Sequence, residues 1–230
     1  MRQVVAAGGA LLVETGDLKL ERYILEATGK SKPRVAFVPT ASGDEAAYVA
    51  RFFESHARFG LELGVLRFFR RTPIDLREFL FGFDAVYVGG GNTRSMLAVW
   101  EHWGFADVLR EAYARGIVLC GSSAGSICWF EEGVTDSVAG DLTRVTALGM
   151  LAGSHCPHYD GEKNRRPSYH GLVASGRIKP GYACDDGAAL HYVDEAIHAI
   201  VAANPTARAY RVERTAGGKA CETTLATVEL

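Results

Sequence analysis

The stretch IVLCGSSAGSICWF, residues 117 to 130, decides how the rest of the chain is read. Ile117 to Cys120 is a short apolar run of strand character, and a Gly/Ser turn and a mixed apolar run follow it. Gly121-Ser122-Ser123-Ala124-Gly125 fits the pattern G-x-S-x-G with Ser123 at its centre. A nucleophile elbow needs glycine two positions either side of the serine, because the strained turn leaves no room for side chains there. Ser122 fails this test, since Cys120 and Ala124 occupy the corresponding positions. A strand before the turn and a helix after it would present Ser123 Oγ at a helix N-terminus. There the helix dipole and the Ala124 N–H can stabilise a developing oxyanion.

Outward from this stretch, apolar runs alternate with amphipathic segments. Arg34 to Val38, Leu63 to Phe69, Asp84 to Val88 and Ile117 to Cys120 read as strands, and their near-continuous apolar character predicts burial on both faces. Helices are predicted over Asp44 to Phe59, Thr93 to Trp103 and Phe105 to Arg115, with stops at Gly60 and Gly116. The β-α-β-α order predicts an α/β fold, a doubly wound, mainly parallel sheet sandwich with its site at the C-terminal ends of the strands. Residues 181 to 228 carry short β-like runs separated by Gly, Asn-Pro and Gly-Gly. They predict antiparallel strands that finish the sheet edge or pack beside it.

The length of 230 residues and 48% hydrophobic content suit one domain over residues 1 to 230. A net charge of −2 gives no electrostatic reason to expect nucleic acid or an anionic membrane as partner. No apolar stretch approaches the ~20 residues that span a bilayer. The N-terminus, MRQVVAAGGALLVETGDL, lacks the features of a signal peptide, so a cytoplasmic location is expected. The five cysteines are an odd number without a C-x-x-C pair, which argues against a disulfide framework or a structural zinc site. No metal or organic cofactor is expected, and the oligomeric state stays open, a homodimer included.

A second glycine loop, Val88-Gly89-Gly90-Gly91-Asn92-Thr93, follows a predicted strand and opens a predicted helix. Asn92 or Thr93 suits the helix N-cap. The Walker lysine and the G-x-G-x-x-G spacing are absent, which argues against a phosphate site. Three glycines let backbone approach a reacting carbonyl, and the Gly91 N–H is the expected partner of Ala124 in an oxyanion hole. A serine also needs a base within reach. His56, His102 and His170 fall in helices, and His191 and His198 in β-like runs. Of the remaining two, His158, after Pro157 at a strand exit, is better placed than His155, which is still on the strand. The imidazole in turn needs an acceptor. Asp136 and the pair Asp185-Asp186 both qualify, and sequence physics does not choose between them.

With VGGGNT, GSSAGS and CPHY in that order, the chain resembles the peptidase E family of serine peptidases, over about residues 34 to 193. That family includes cyanophycinases and shares a fold related to class I glutamine amidotransferases. The resemblance implies Ser123 as nucleophile, His158 as base, Gly91 and Ala124 as oxyanion hole, and a small peptide as substrate. The family's dipeptidases carry the acid as Glu in a Pro-Glu-Gly segment, where Asp186 stands here. Aspartate is one methylene shorter, so the loop or His158 must sit closer for the bond to form. Asp136 resembles the family's further aspartate and is a supporting residue, as is Asn92. A preference for N-terminal aspartate would need a cation, for which Arg165 and Arg166 are candidates. The dipeptidases' Asn-Pro-His-Phe segment is Cys156-Pro157-His158-Tyr159 here. That departure leaves other readings open: a hydrolase of β-aspartyl or other small amides or esters, or a binding module with an unproductive triad.

Overall fold

Residues 1–9 and 18–230 are described in the computed structural model; the rest of the N-terminal segment screened for a signal peptide lies outside the described residues. The elements run β1 (Gln3–Ala7), α1 (Lys19–Ala27), β2 (Arg34–Val38), α2 (Ala46–Ala57), β3 (Glu62–Val65), α3 (Leu76–Leu80), β4 (Ala85–Val88) and α4 (Thr93–His102). Next come α5 (Phe105–Ala114), β5 (Val118–Ser122), α6 (Ala124–Ile127), β6 (Phe130–Thr135), β7 (Thr143–Thr146) and β8 (Leu151–Cys156). The chain closes with α7 (Arg165–Ala174), β9 (Gly181–Cys184), β10 (Ala188–Val193), β11 (Ala196–Ala202), β12 (Ala209–Arg214), β13 (Ala220–Leu225) and β14 (Val228–Glu229).

The fold is α/β. One sheet has the order β14-β11-β10-β1-β5-β4-β2-β3, and its five strands β1, β5, β4, β2 and β3 are parallel. Alternate residues serve opposite faces, as the two-residue period of a strand requires. Val5, Val35, Phe37, Tyr87 and Val118 pack on Leu20 and Ile24 of α1 and Val49 and Phe52 of α2. Val4, Ala36, Val86, Val88 and Leu119 pack toward Met96 and Trp100 of α4 and Phe105 and Leu109 of α5. Strands covered on both sides read as unbroken apolar runs, which is why they are visible in the sequence. The run from Leu63 stops being a strand at Val65. The Asp44 carboxylate accepts the Phe68 and Phe69 N–H groups at 2.7 Å each and draws the chain off the sheet.

After the elbow the chain departs from expectation. The predicted helix is a single turn, and Phe130 begins a strand. The aromatic and β-branched residues that follow, Trp129, Phe130, Val134 and Thr135, suit a strand better than a helix. This strand founds a second sheet, of order β13-β12-β9-β8-β6-β7. One face adds Phe130, Leu151, Cys184 and Ala209 to the core of the first sheet. The other face packs Val134, Cys156, Ala183 and Val212 against Tyr169, Leu172 and Val173 of α7. The C-terminal strands therefore do both things foreseen: β10 and β11 extend the first sheet antiparallel, while β12 and β13 join the second.

Candidate active site

The site is built where β5, β4 and β1 end together. Ser123 follows β5 at φ 57°, ψ −122°, a conformation costly for any residue with a side chain (about 1–3 kcal/mol). The flanking glycines make it attainable. A Cβ on Gly125 would overlap the Val88 carbonyl oxygen, and one on Gly121 would press on the Val88 and Gly125 oxygens. The two serines are separated: Ser122 is buried on β5 with its Oγ 3.5 Å from Tyr87 Oη, whereas Ser123 is half-buried. The helix dipole expected behind Ser123 is reduced to four residues of α6, too few aligned peptides for a macrodipole. What remains there is backbone N–H.

The glycine loop lies alongside. A Cβ on Gly90 would stand 3.2 Å from Ser123 Cβ, and one on Gly91, whose φ is 133°, would overlap Ala41 O. Gly89 N–H donates to Val38 O at 3.2 Å, Gly90 N–H to Tyr48 Oη at 3.1 Å and Asn92 N–H to Ala41 O at 2.8 Å. The Gly91 and Ala124 N–H groups have no acceptor among the described residues. Asn92 caps α4, its Oδ1 accepting from Ser95 N at 2.9 Å, while its Nδ2 donates to Ser137 O at 3.1 Å.

The second sheet delivers the histidine. β8 ends at Cys156, and His158 sits at φ 53° with its N–H donating to Gly8 O at 3.1 Å. Its Nδ1 lies 2.7 Å from Asp186 Oδ1, just past β9, and Asp186 N–H is held by Asp160 Oδ1 at 2.9 Å. With Nδ1–H donating to the carboxylate, Nε2 is left as the acceptor nitrogen. The parallel register pairs Ala7 with Ser122, so Gly8, which carries His158, follows beside Ser123. No hydrogen bond joins Ser123 Oγ to the imidazole in this structure.

Gly8 and Gly9 are site residues that the sequence reading passes over. A Cβ on Gly8 would overlap the Asp185 carbonyl oxygen, and one on Gly9 would overlap Asp186 Oδ1 and come within 2.7 Å of His158 Nδ1. Their signal is a Gly-Gly directly after the apolar run VVAA. The two adjacent acids also part company. Asp185 is buried, accepts Arg208 N–H at 2.9 Å and Tyr210 O–H at 3.2 Å, and burial raises its pKa. His155 is fully buried, stacked on Phe130 at 4.8 Å, and burial lowers its pKa to about 3.

Asp136 does not meet His158; it is exposed and lies 3.5 Å from Arg165 Nη2. The expectation that Arg165 offers a free cation to substrate does not survive its surroundings. Its side chain is 2% exposed, with Nε on Glu162 at 2.6 Å and Nη1 on Val134 O at 3.1 Å. Arg166 is committed too, 4.7 Å over each of the Tyr159 and Tyr210 rings and 3.5 Å from Glu222. No group of three or more His, Cys, Asp or Glu among the described residues is arranged to hold a metal ion.

Residues 4–200 match the sequence pattern of Peptidase family S51. The chain belongs to that family. It is thus a hydrolase, a serine peptidase of the peptidase E type. A relative from Bacillus subtilis (strain 168), named uncharacterized peptidase YgaJ, is 47% identical over 213 residues, 92% of either chain. Peptidase E of Streptomyces coelicolor is 35% identical over 94 residues, 40% of this chain and 37% of that one. Among solved structures, a peptidase from an acI-B1 Actinobacterium superimposes with a TM-score of 0.72 at 16% identity, covering 99% of this chain and 95% of that chain. A putative peptidase E protein from Listeria monocytogenes EGD-e gives 0.63 at 19% identity, covering 98% and 100%. At those identities the two structures show a shared fold. No helix among the described residues of this S51 peptidase is long and apolar enough to cross a membrane.

Proposed function

We propose that this S51 peptidase cleaves amide bonds of small peptides through an acyl-enzyme on Ser123. The observation that carries the reading is a serine in a strained elbow beside the end of β1, where Gly8 O accepts the N–H of a histidine whose ring lies 2.7 Å from a carboxylate. Ser123 Oγ attacks the scissile carbonyl carbon while His158 Nε2 takes the hydroxyl proton. Asp186 holds the ring in the tautomer that keeps Nε2 free and stabilises the imidazolium. The Gly91 and Ala124 N–H groups donate hydrogen bonds to the oxyanion. Collapse of the tetrahedral intermediate breaks the C–N bond, and His158 returns its proton to the leaving amine. Water then attacks the ester through the same base, and the acid product leaves.

The short aspartate suffices because Gly9 has no side chain and His158 turns at positive φ, so the Asp186 carboxylate meets Nδ1 directly. The Ser123–His158 hydrogen bond forms in the substrate complex, where such catalytic bonds tighten. Asn92 supports the site by capping the helix behind the glycine loop, whereas Asp136 pairs with Arg165 away from His158.

The test is turnover by wild-type protein and by Ser123→Ala on a panel of Asp-X, Glu-X, β-aspartyl and neutral dipeptides, with matched esters. The substitution is expected to lower kcat on the best substrate by ~10⁶-fold. Full activity of Ser123→Ala on any amide would refute the mechanism. The panel also fixes which small amide is preferred.

A further inference from the structure

Three N–H groups of the Gly89–Asn92 loop are committed, and one commitment differs in kind. Gly89 and Asn92 donate to main-chain oxygens, Val38 O at the end of β2 and Ala41 O in the turn after it. Such acceptors exist whatever the side chains are. Gly90 donates to a side chain, the Tyr48 hydroxyl on α2, at 3.1 Å. The ring is fixed in place, edge-on to Phe37 at 5.2 Å with the Arg51 guanidinium 5.3 Å from its centroid. Gly89 makes room for it, since a Cβ there would come within 2.8 Å of the Tyr48 ring.

We infer that Tyr48 is a positioning residue for the oxyanion hole: by accepting the Gly90 N–H it fixes the peptide beside Ser123 and leaves the Gly91 N–H as the loop's donor to the oxyanion. This rests on the acyl-enzyme reading above. Three consecutive glycines carry no Cβ to restrain their peptides, so the loop can flip at little cost unless something holds it. Gly90 is the residue where a flip matters most, because its backbone borders Ser123: a Cβ there would lie 3.6 Å from Ser123 Oγ. A freed Gly90 N–H would compete with Gly91 and swing the donor away from the reacting carbonyl. Burial holds the Tyr48 phenol above its ordinary pKa, so it remains a neutral hydroxyl at working pH.

The variant Tyr48→Phe keeps the ring and deletes only the acceptor. Two quantities are read: steady-state constants on the best peptide of the panel, and affinity for the matching peptide aldehyde. The aldehyde carbon bonds Ser123 Oγ and the hydroxyl proton passes to the new hemiacetal oxygen, which occupies the oxyanion position. The expected result is a kcat lower by ~10- to 100-fold, KM within about twofold, and aldehyde affinity reduced by the same factor as kcat. Peptide binding to Ser123→Ala/Tyr48→Phe matches binding to Ser123→Ala, which a merely structural loss would not give. Tyr48→Leu, which loses ring and hydroxyl together, falls at least as far. Wild-type kcat and aldehyde affinity in Tyr48→Phe overturn the inference, and so does a raised KM at unchanged kcat. A wild-type enzyme indifferent to the aldehyde, or a Ser123→Ala variant inhibited as strongly, removes the acyl-enzyme reading and this inference with it.

Discussion

Ser123 and His158 both stand at left-handed φ, 57° and 53°, and the chain reaches these conformations by different means. Around Ser123 the requirements are local. Gly121 and Gly125 clear the turn, and Val88, one strand away in a continuous parallel sheet, closes it. Around His158 they are distant in sequence. Its backbone is held by Gly8 and its ring by Asp186, and Gly9 leaves the space in which ring and carboxylate meet. Strain supported locally leaves a motif in the sequence; strain supported by remote segments leaves scattered residues.

That contrast can be attacked by substituting the residues that support Ser123 and His158, and among these the largest effect belongs to the remote half. Asp186→Asn keeps the side-chain shape but favours the wrong imidazole tautomer, so kcat is expected to fall ~10⁴-fold with KM little changed. A loss under tenfold, measured by steady-state kinetics, would show that another acceptor orients His158. Gly9→Ala is smaller. The new methyl displaces the Asp186 carboxylate, and misplacement of a catalytic group costs ~10²-fold in kcat. The matched change at the elbow, Gly125→Ala, meets the Val88 backbone, which cannot yield as a side chain can. It should appear first as lost stability, about 1–3 kcal/mol by urea unfolding. Equal kinetic and stability profiles for the two glycine variants would erase the distinction between the halves.

Arg165→Leu probes the buried cation at the start of α7, which donates to β6 of the second sheet. Its partners Glu162 and Asp136 are 43% and 63% exposed and return to water when it is removed, so the cost reduces to Val134 O left without its donor. Urea unfolding is expected to show about 1–3 kcal/mol. A further signal is in pH. Burial lowers the pKa of His56 and His191 to about 4 and that of His155 to about 3, against an ordinary value near 6.5. Between those values the unfolded chain binds more protons, so stability is complete above about pH 6.5 and declines as pH falls toward 4. His191, lowered by burial and by neighbouring His198, also loses a hydrogen bond when it is protonated. Its neutral ring accepts the Tyr23 hydroxyl at 2.7 Å and donates to Gln3 Oε1 at 3.0 Å, and a protonated ring has no lone pair for Tyr23. Urea midpoints followed from pH 7 to 4 should fall, and His191→Asn should flatten the slope.

What was legible follows the same division. The strands at Arg34–Val38 and Ala85–Val88 announce themselves as apolar runs because helices cover both faces. Ser123 announces itself through its glycines. The joining of β6 and β8 into a second sheet is not legible in the sequence, because β6 begins where an elbow is usually followed by a longer helix and because β6, β8 and β9 are separated by loops and a helix. Asp186 could not be separated from Asp185 or Asp136 by spacing alone. The difference lies in which carboxylate is buried under Tyr210, which faces Arg165 and which is turned toward His158. Gly8 and Gly9 escape the sequence reading for a related reason: their contacts are with residues 158 and 184 to 188, out of view of any local pattern.

The acyl-enzyme proposed above puts the covalent bond on Ser123. Intact-mass measurement after exposure to a peptidyl phosphonate diester tests it most directly, with peptide mapping to locate the adduct. One adduct per chain is expected, on the peptide carrying Ser123, and none on Ser123→Ala or on wild-type protein unfolded beforehand. An adduct on Ser122 or any other residue, or full labelling of Ser123→Ala, would contradict it.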